Sequence, residues 1–313
     1  VGALVCCLIP GVARADTVKR VSNIREAVGG TVYITNPPTG ENAQYWYNNK
    51  WNNFRDIKDK VDHPLGDGWQ IRWYPNLWGG GFMVWRYSTI VETLRYFNDP
   101  PLKFRFNDVG YTATGEHIDM ILKFDSVSVW KKNELSGKWF SPLQVTKQYS
   151  VLMSAVPTDG GIPEGGGDHV GVISQFTMSI VKHDTEALID PSNELDVVYW
   201  DIDAPVTQLG GSGDYGNDRR ESVRKLSGYQ SESIIGTTST LVIKDDNRWF
   251  LSRHPDTSVV PSDESSVIMK AGPQYRTEWR GYSCSTAVGF DSIVRVYPKW
   301  SDPVKDPPTQ VKK

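Results

Sequence analysis

The chain is 313 residues long, with 39% hydrophobic and 12% aromatic content, enough for one large folded domain or two medium ones. Its 37 acidic and 34 basic residues leave a formal charge of −3, too balanced for a polyanion-binding surface, so nucleic acid is not an expected partner. Twenty-eight Gly and 19 Pro, spread along the chain, mark many turns and favour an all-β architecture.

Residues 1–10 form an apolar run, and Gly11-Val12-Ala13-Arg14-Ala15 closes it with an Ala-x-Ala end, the pattern of a secretory signal peptide's tail. Cleavage after Ala15 leaves Asp16 first. No other stretch reaches the ~18 apolar residues of a membrane helix, so an exported chain without a membrane span is expected. Cys6 and Cys7 fall in the removed segment, and Cys284 is left alone, without a partner for an intrachain disulfide. A large exported domain without disulfides points to a bacterial surface.

Residues 16–26 read as a polar opening segment with room for one helical turn, and 31–35 as a short strand stopped by Asn36-Pro37-Pro38-Thr39-Gly40. Six of the twelve Trp then fall between Trp46 and Trp85. Within that stretch, Phe54, Ile57 and Val61 on one face predict a short helix over 52–61, and 67–74 and 81–87 read as strands. Residues 102–109 and 117–124 give the clearest hairpin, with Ile118, Met120, Leu122 and Phe124 at period two. Segments 127–130 and 138–140 flank Asn133 to Gly137 as a second expected hairpin.

Segments 149–156 and 170–182 are strand-like around a glycine loop, 159–168. Residues 195–203 carry apolar side chains on both faces, as a strand covered on both sides does. The segments 237–242, 240–244, 248–252, 265–270, 277–279, 286–290 and 293–297 complete a run of short strands, with a tight turn at Asp245-Asp246-Asn247. From residue 299 the composition turns proline-rich, as in a stiff linker.

Many short strands with scarcely any helix predict a large, elaborated antiparallel β-sandwich, jelly-roll-like, with few short helices. Two abutting β-sandwiches divided near residues 131–148 are the alternative. The domain reading is a signal remnant at 1–15, the β-sandwich at 16–298 and a linker at 299–313.

Three stretches carry a resemblance. Trp200-Asp201-Ile202-Asp203, then Glu221 to Tyr229, then the Thr/Ser-rich 237–242, are similar to segments of the globular N-terminal domains of Gram-positive cell-wall-anchored surface adhesins. The hairpin from Phe106 to Asp119, with its Asp-Val-Gly and Ile-Asp ends, resembles that family's hairpin. The resemblance implies a cell-surface, wall-attached adhesion domain, monomeric and non-catalytic, that binds a host or microbial glycan or protein. It implies a stalk beyond residue 313. It also implies that a Lys–Asn or Lys–Asp isopeptide bond could stand in for disulfides, although no Lys is assigned. An internal thioester would use Cys284, which lies late in the chain where that family places its Cys early.

The ligand-binding candidates are Tyr45, Trp46, Tyr47, Trp51, Trp69, Trp73, Trp78 and Trp85. Large aromatics are ordinarily core residues. The density of rings among Asn48, Asn49, Asn52 and Asn53 instead suggests stacking faces beside amides, chemistry suited to sugar. Asp201, Asp203, Asp214 and Asp218, with Asn217 and Glu221, offer hard oxygen ligands for Ca²⁺, without the spacing of a defined calcium loop; in a solvated turn, Asp and Asn simply bond their own backbone. Asp159, Glu164 and Asp168 are a poorer second set. Read as a carboxylate pair, Asp201 and Asp203 admit a secreted glycoside hydrolase as the rival function; a spacer without ligand is the third. The five His are scattered and show no spacing that pairs them.

Overall fold

Six consecutive buried residues make the strand Leu195–Trp200 the centre of the structure, bonded on both sides as its two apolar faces require. It stops where Asp201 adopts a left-handed conformation (φ 62°). The computed structural model describes residues 15–57, 63–66, 68–74, 81–88, 95–97, 102–130, 138–147, 150–158, 171–202, 221–252, 262–282 and 285–290.

Nineteen strands occur among these residues. In chain order they are β1 (Thr17–Val21), β2 (Val32–Ile34), β3 (Ala43–Tyr47), β4 (Lys50–Asn53), β5 (His63–Gly66), β6 (Trp69–Tyr74), β7 (Gly81–Ser88), β8 (Arg95–Phe97), β9 (Lys103–Thr112) and β10 (His117–Trp130). They continue as β11 (Lys138–Thr146), β12 (Ser150–Thr158), β13 (Gly171–Lys182), β14 (Leu195–Trp200), β15 (Ser222–Gly236), β16 (Val242–Lys244), β17 (Trp249–Leu251), β18 (Val267–Tyr282) and β19 (Ser285–Phe290). Helical structure among the described residues is limited to 3-10 turns at Ile24–Glu26 and Phe54–Ile57.

Two antiparallel layers pack as an all-β sandwich. One layer joins β3 and β2 to β9, then β10, β13, β18 and β15. The other runs β5, β6, β7, β11, β12, β19 and β14. They meet along β18, whose first half pairs with β14 up to Ala271 and whose second half pairs with β13 from Gln274 onward. Gly272 and Pro273 sit at the changeover; proline has no N–H to give a ladder, so the strand changes partners there. Between the layers lies one continuous core containing Phe54, Phe82, Phe104, Phe124, Phe176, Tyr199, Trp200 and Trp279.

Several sequence expectations change. Segments 127–130 and 138–140 are not a hairpin: the first ends β10 in one layer, and the second begins β11 in the other, between β7 and β12. The expected helix over 52–61 is the end of β4 followed by the Phe54–Ile57 turn; Phe54 and Ile57 do share the buried face, and Val61 lies outside the described residues. Residues 237–241 form a turn and an irregular segment rather than a strand. Residues 17–21, read as a polar opening, form an edge strand parallel to β15. Lys225, with its side chain fully buried, ties down its start by pairing with Asp16 at 3.3 Å while donating to the Gln230 carbonyl at 3.0 Å. The expected strand at 293–297 lies outside the described residues.

Candidate functional site

The aromatic stretch folds as a two-residue hairpin. Asn48 and Asn49 both adopt positive φ (53° and 58°), the conformation that a type I′ turn needs and that Asn tolerates. This turn sets the register Trp46↔Trp51 and Gln44↔Asn53. Strand alternation then separates neighbours: Tyr45 is 3% exposed and edge-on to Phe54 in the core, whereas Trp46 and Trp51 are half-buried on the outer face. Their rings meet at 5.2 Å and 74°. Beside them, Gln44 Nε2 donates to Asn53 Oδ1 at 3.0 Å.

A cation sits at this pair. Strand β9 pairs Gln44 with Arg105, which brings Lys103 alongside Trp46. The Lys103 ammonium lies 5.2 Å from the Trp46 ring and 5.0 Å from the Trp51 ring, and Glu186 holds it at 3.0 Å. Arg105 lies 5.9 Å from Trp51 and pairs with buried Asp119. Burial alone would raise the Asp119 pKa; hydrogen bonds from His183, the Asp108 N–H, Arg105 and the Asp184 N–H outweigh it and hold the group below the usual carboxylate range. The outcome is a semi-exposed patch of two indoles, two amides and a lysine on a rigid sheet.

The other predicted rings divide by burial. Trp69 and Trp85 are 0% and 1% exposed, so neither has a face for a ligand, a correction: Trp69 points into the core, and Trp85, on the opposite face of the β6–β7 pair, is covered in part by Arg72 at 4.4 Å. Tyr45 is corrected likewise, and burial with the Asp56 charge pushes its phenol up to about 12. Tyr47 and Trp73 are partly buried against the core, Trp73 covering Gly40. Trp78 lies outside the described residues, as do Asp203, Asp214, Asp218 and Cys284; Asp201 is half-buried.

Two exposed rings escaped the sequence reading. Tyr33 (39% exposed) and Tyr111 (40%) face each other across β2 and β9, their rings 5.6 Å apart and tilted by 37°. The signal was present in Val32-Tyr33-Ile34, a Tyr between two inward residues. The structure also pairs two histidines that looked scattered, His117 and His183, with ring centroids 6.4 Å apart.

No family model matches the chain, and no curated protein matches it by sequence. Solved structures do match. The N-terminal domain of the Streptococcus gordonii adhesin Sgo0707 superposes with a TM-score of 0.52 at 12% identity, over 88% of this chain and 62% of that one. The chain shares the fold of that domain. The adhesin domain of PrgB from Enterococcus faecalis is also similar, with a TM-score of 0.42 at 11% identity over 88% of this chain and 90% of that one. The chain thus spans under two thirds of the Sgo0707 domain and shares the adhesin fold with little of its sequence. No helix among the described residues is long and apolar enough to cross a membrane.

Proposed function

We propose that the chain is the ligand-binding head of a bacterial surface adhesin and that it holds an extracellular glycan across Trp46 and Trp51. The observation that carries this is the pair itself: two indoles kept half-exposed and in contact on the outer face, next to hydrogen-bonding amides, whereas Trp69, Trp85, Trp200 and Trp279 are fully buried. Apolar ring surface gives a sugar its contact area, and a few fixed polar groups give it orientation. The fold shared with an adhesin domain supports recognition rather than catalysis, with display at the cell wall.

The test is a glycan array probed with the chain and with a Trp46→Ala/Trp51→Ala form. The reading expects a defined set of glycans bound by the first and not by the second. Binding by neither, with capture of an extracellular protein at the same face, would shift the ligand class to protein. Calcium belongs to the same reading as a proposed occupant of Asp201, Asp203, Asp214 and Asp218. A calcium-dependent rise in the melting temperature supports it, and no shift removes it.

A further inference from the structure

Strands β10 and β13 run antiparallel with Ile118 opposite Lys182, which places His117 opposite His183 one step further out. The His183 N–H donates to the His117 carbonyl at 3.0 Å, locking the two residues side by side. Each imidazole has its Nδ1 against a carboxylate: His117 at 2.8 Å from Asp108 Oδ1, and His183 at 2.7 Å from Asp119 Oδ1. Asp119 accepts bonds from Arg105, Asp108 N–H and Asp184 N–H and is a carboxylate, so His183 Nδ1 carries the proton and donates it. In the neutral ring, Nε2 is then a bare lone pair. It faces the Asp184 carboxylate at 3.4 Å. Two acceptors in that position repel unless a proton or a metal ion lies between them.

We infer that His117, His183 and Asp184 form a solvent-open site for a zinc-class transition-metal ion. Zinc takes N and O ligands at ~2.0–2.2 Å in a tetrahedron, which sets neighbouring ligand atoms about 3.3–3.5 Å apart. The His183 Nε2 to Asp184 Oδ2 separation of 3.4 Å matches that edge. Two imidazoles on one such ion have ring centres about 5 Å apart. The observed 6.4 Å is too long by more than about 1 Å, and it closes when the His117 side chain, 62% exposed, turns toward His183 at the expense of its Asp108 contact. Asp119 acts behind His183: a carboxylate on Nδ1 fixes the tautomer and raises the basicity of Nε2. Asp119 is itself no ligand, because Arg105, two backbone N–H groups and His183 already occupy its oxygens.

The surrounding charge favours a dication. Asp108, Asp119, Asp184 and Glu116 are set against only Arg105 and Lys182. Imidazole nitrogen selects zinc, copper or nickel over calcium or magnesium.

The test is a calorimetric titration of the whole chain with Zn²⁺ at pH 8, after alkylation of the cysteines to keep thiolates from competing. The site predicts saturable binding of one ion. It predicts weakening by roughly tenfold or more in His117→Gln and Asp184→Asn. Both side chains are largely exposed (62% and 82%), so these variants keep the fold. Co²⁺ should give the visible bands of a tetrahedral complex, lost in the same variants. Absence of saturable binding, or binding unchanged in both variants, overturns the site and leaves His183 and Asp184 as a proton-bridged ion pair.

Discussion

Arg105 and Asp119 form a charged pair shut away beneath the outer face of the sheet, the guanidinium Nε donating to Asp119 Oδ2 at 2.9 Å and Nη2 to the same oxygen. Their side chains are 6% and 0% exposed. Asp119→Ala strands the guanidinium and releases two backbone donors, Asp108 N–H and Asp184 N–H. The expected loss is about 3–5 kcal/mol, read by denaturant unfolding. Replacing both charges, as Arg105→Met/Asp119→Leu, recovers part of that loss, because a buried pair is worth little against well-packed apolar side chains.

Gly110 explains the Asp-Val-Gly of the β9–β10 hairpin. A Cβ built there would lie 1.9 Å from the Tyr33 carbonyl oxygen, an atom of the β2 backbone that cannot rotate away. Gly110→Ala therefore pushes β2 off β9. It should cost about 1–3 kcal/mol by thermal or chemical denaturation, and a smaller shift would mean that the sheet edge yields.

Alkaline stability follows from buried phenols. Burial raises Tyr45 and Tyr199 from 10.0 to about 12. A raised pKa means that the fold favours the neutral phenol, so the contribution is complete below pH 10 and drains away as pH climbs through about 12. Unfolding free energy measured from pH 9 upward should fall across that interval. Tyr45→Phe, which keeps the ring and removes the ionisable group, should fall less steeply.

Much of this was legible before any coordinates. Residues 195–203 announced a doubly covered strand by carrying apolar side chains on both faces, and segments 102–109 and 117–124 announced their hairpin, which forms as β9 and β10. Pairing between distant segments left no such trace. The sequence from 131 to 137 reads like a hairpin connection, but only tertiary contacts decide that β11 joins the opposite layer. The same applies to His117 and His183, whose meeting depends on a register set by the length of β10 and β13. The aromatic cluster was readable as a cluster. Sorting Trp46 from Trp69 required knowing that Asn48-Asn49 is a turn and which face of each strand turns inward.

That sorting predicts opposite outcomes for two chemically identical substitutions. Trp69 is 0% exposed and packs edge-on against Phe140 at 5.8 Å, so Trp69→Ala should cost about 3–5 kcal/mol and blunt unfolding cooperativity. Trp46→Ala removes a half-exposed ring and a cation–π contact with Lys103, and should stay within about 1 kcal/mol of the parent. Denaturant melts of the two variants side by side settle which rings belong to the core.

The most direct test of the outer-face reading is an affinity titration of the parent chain and Trp51→Ala against the best-bound glycan, with the melting temperature taken on the same samples. The account predicts a loss of roughly tenfold or more in affinity while the melting temperature holds. Unchanged affinity in a fully folded Trp51→Ala protein would contradict it.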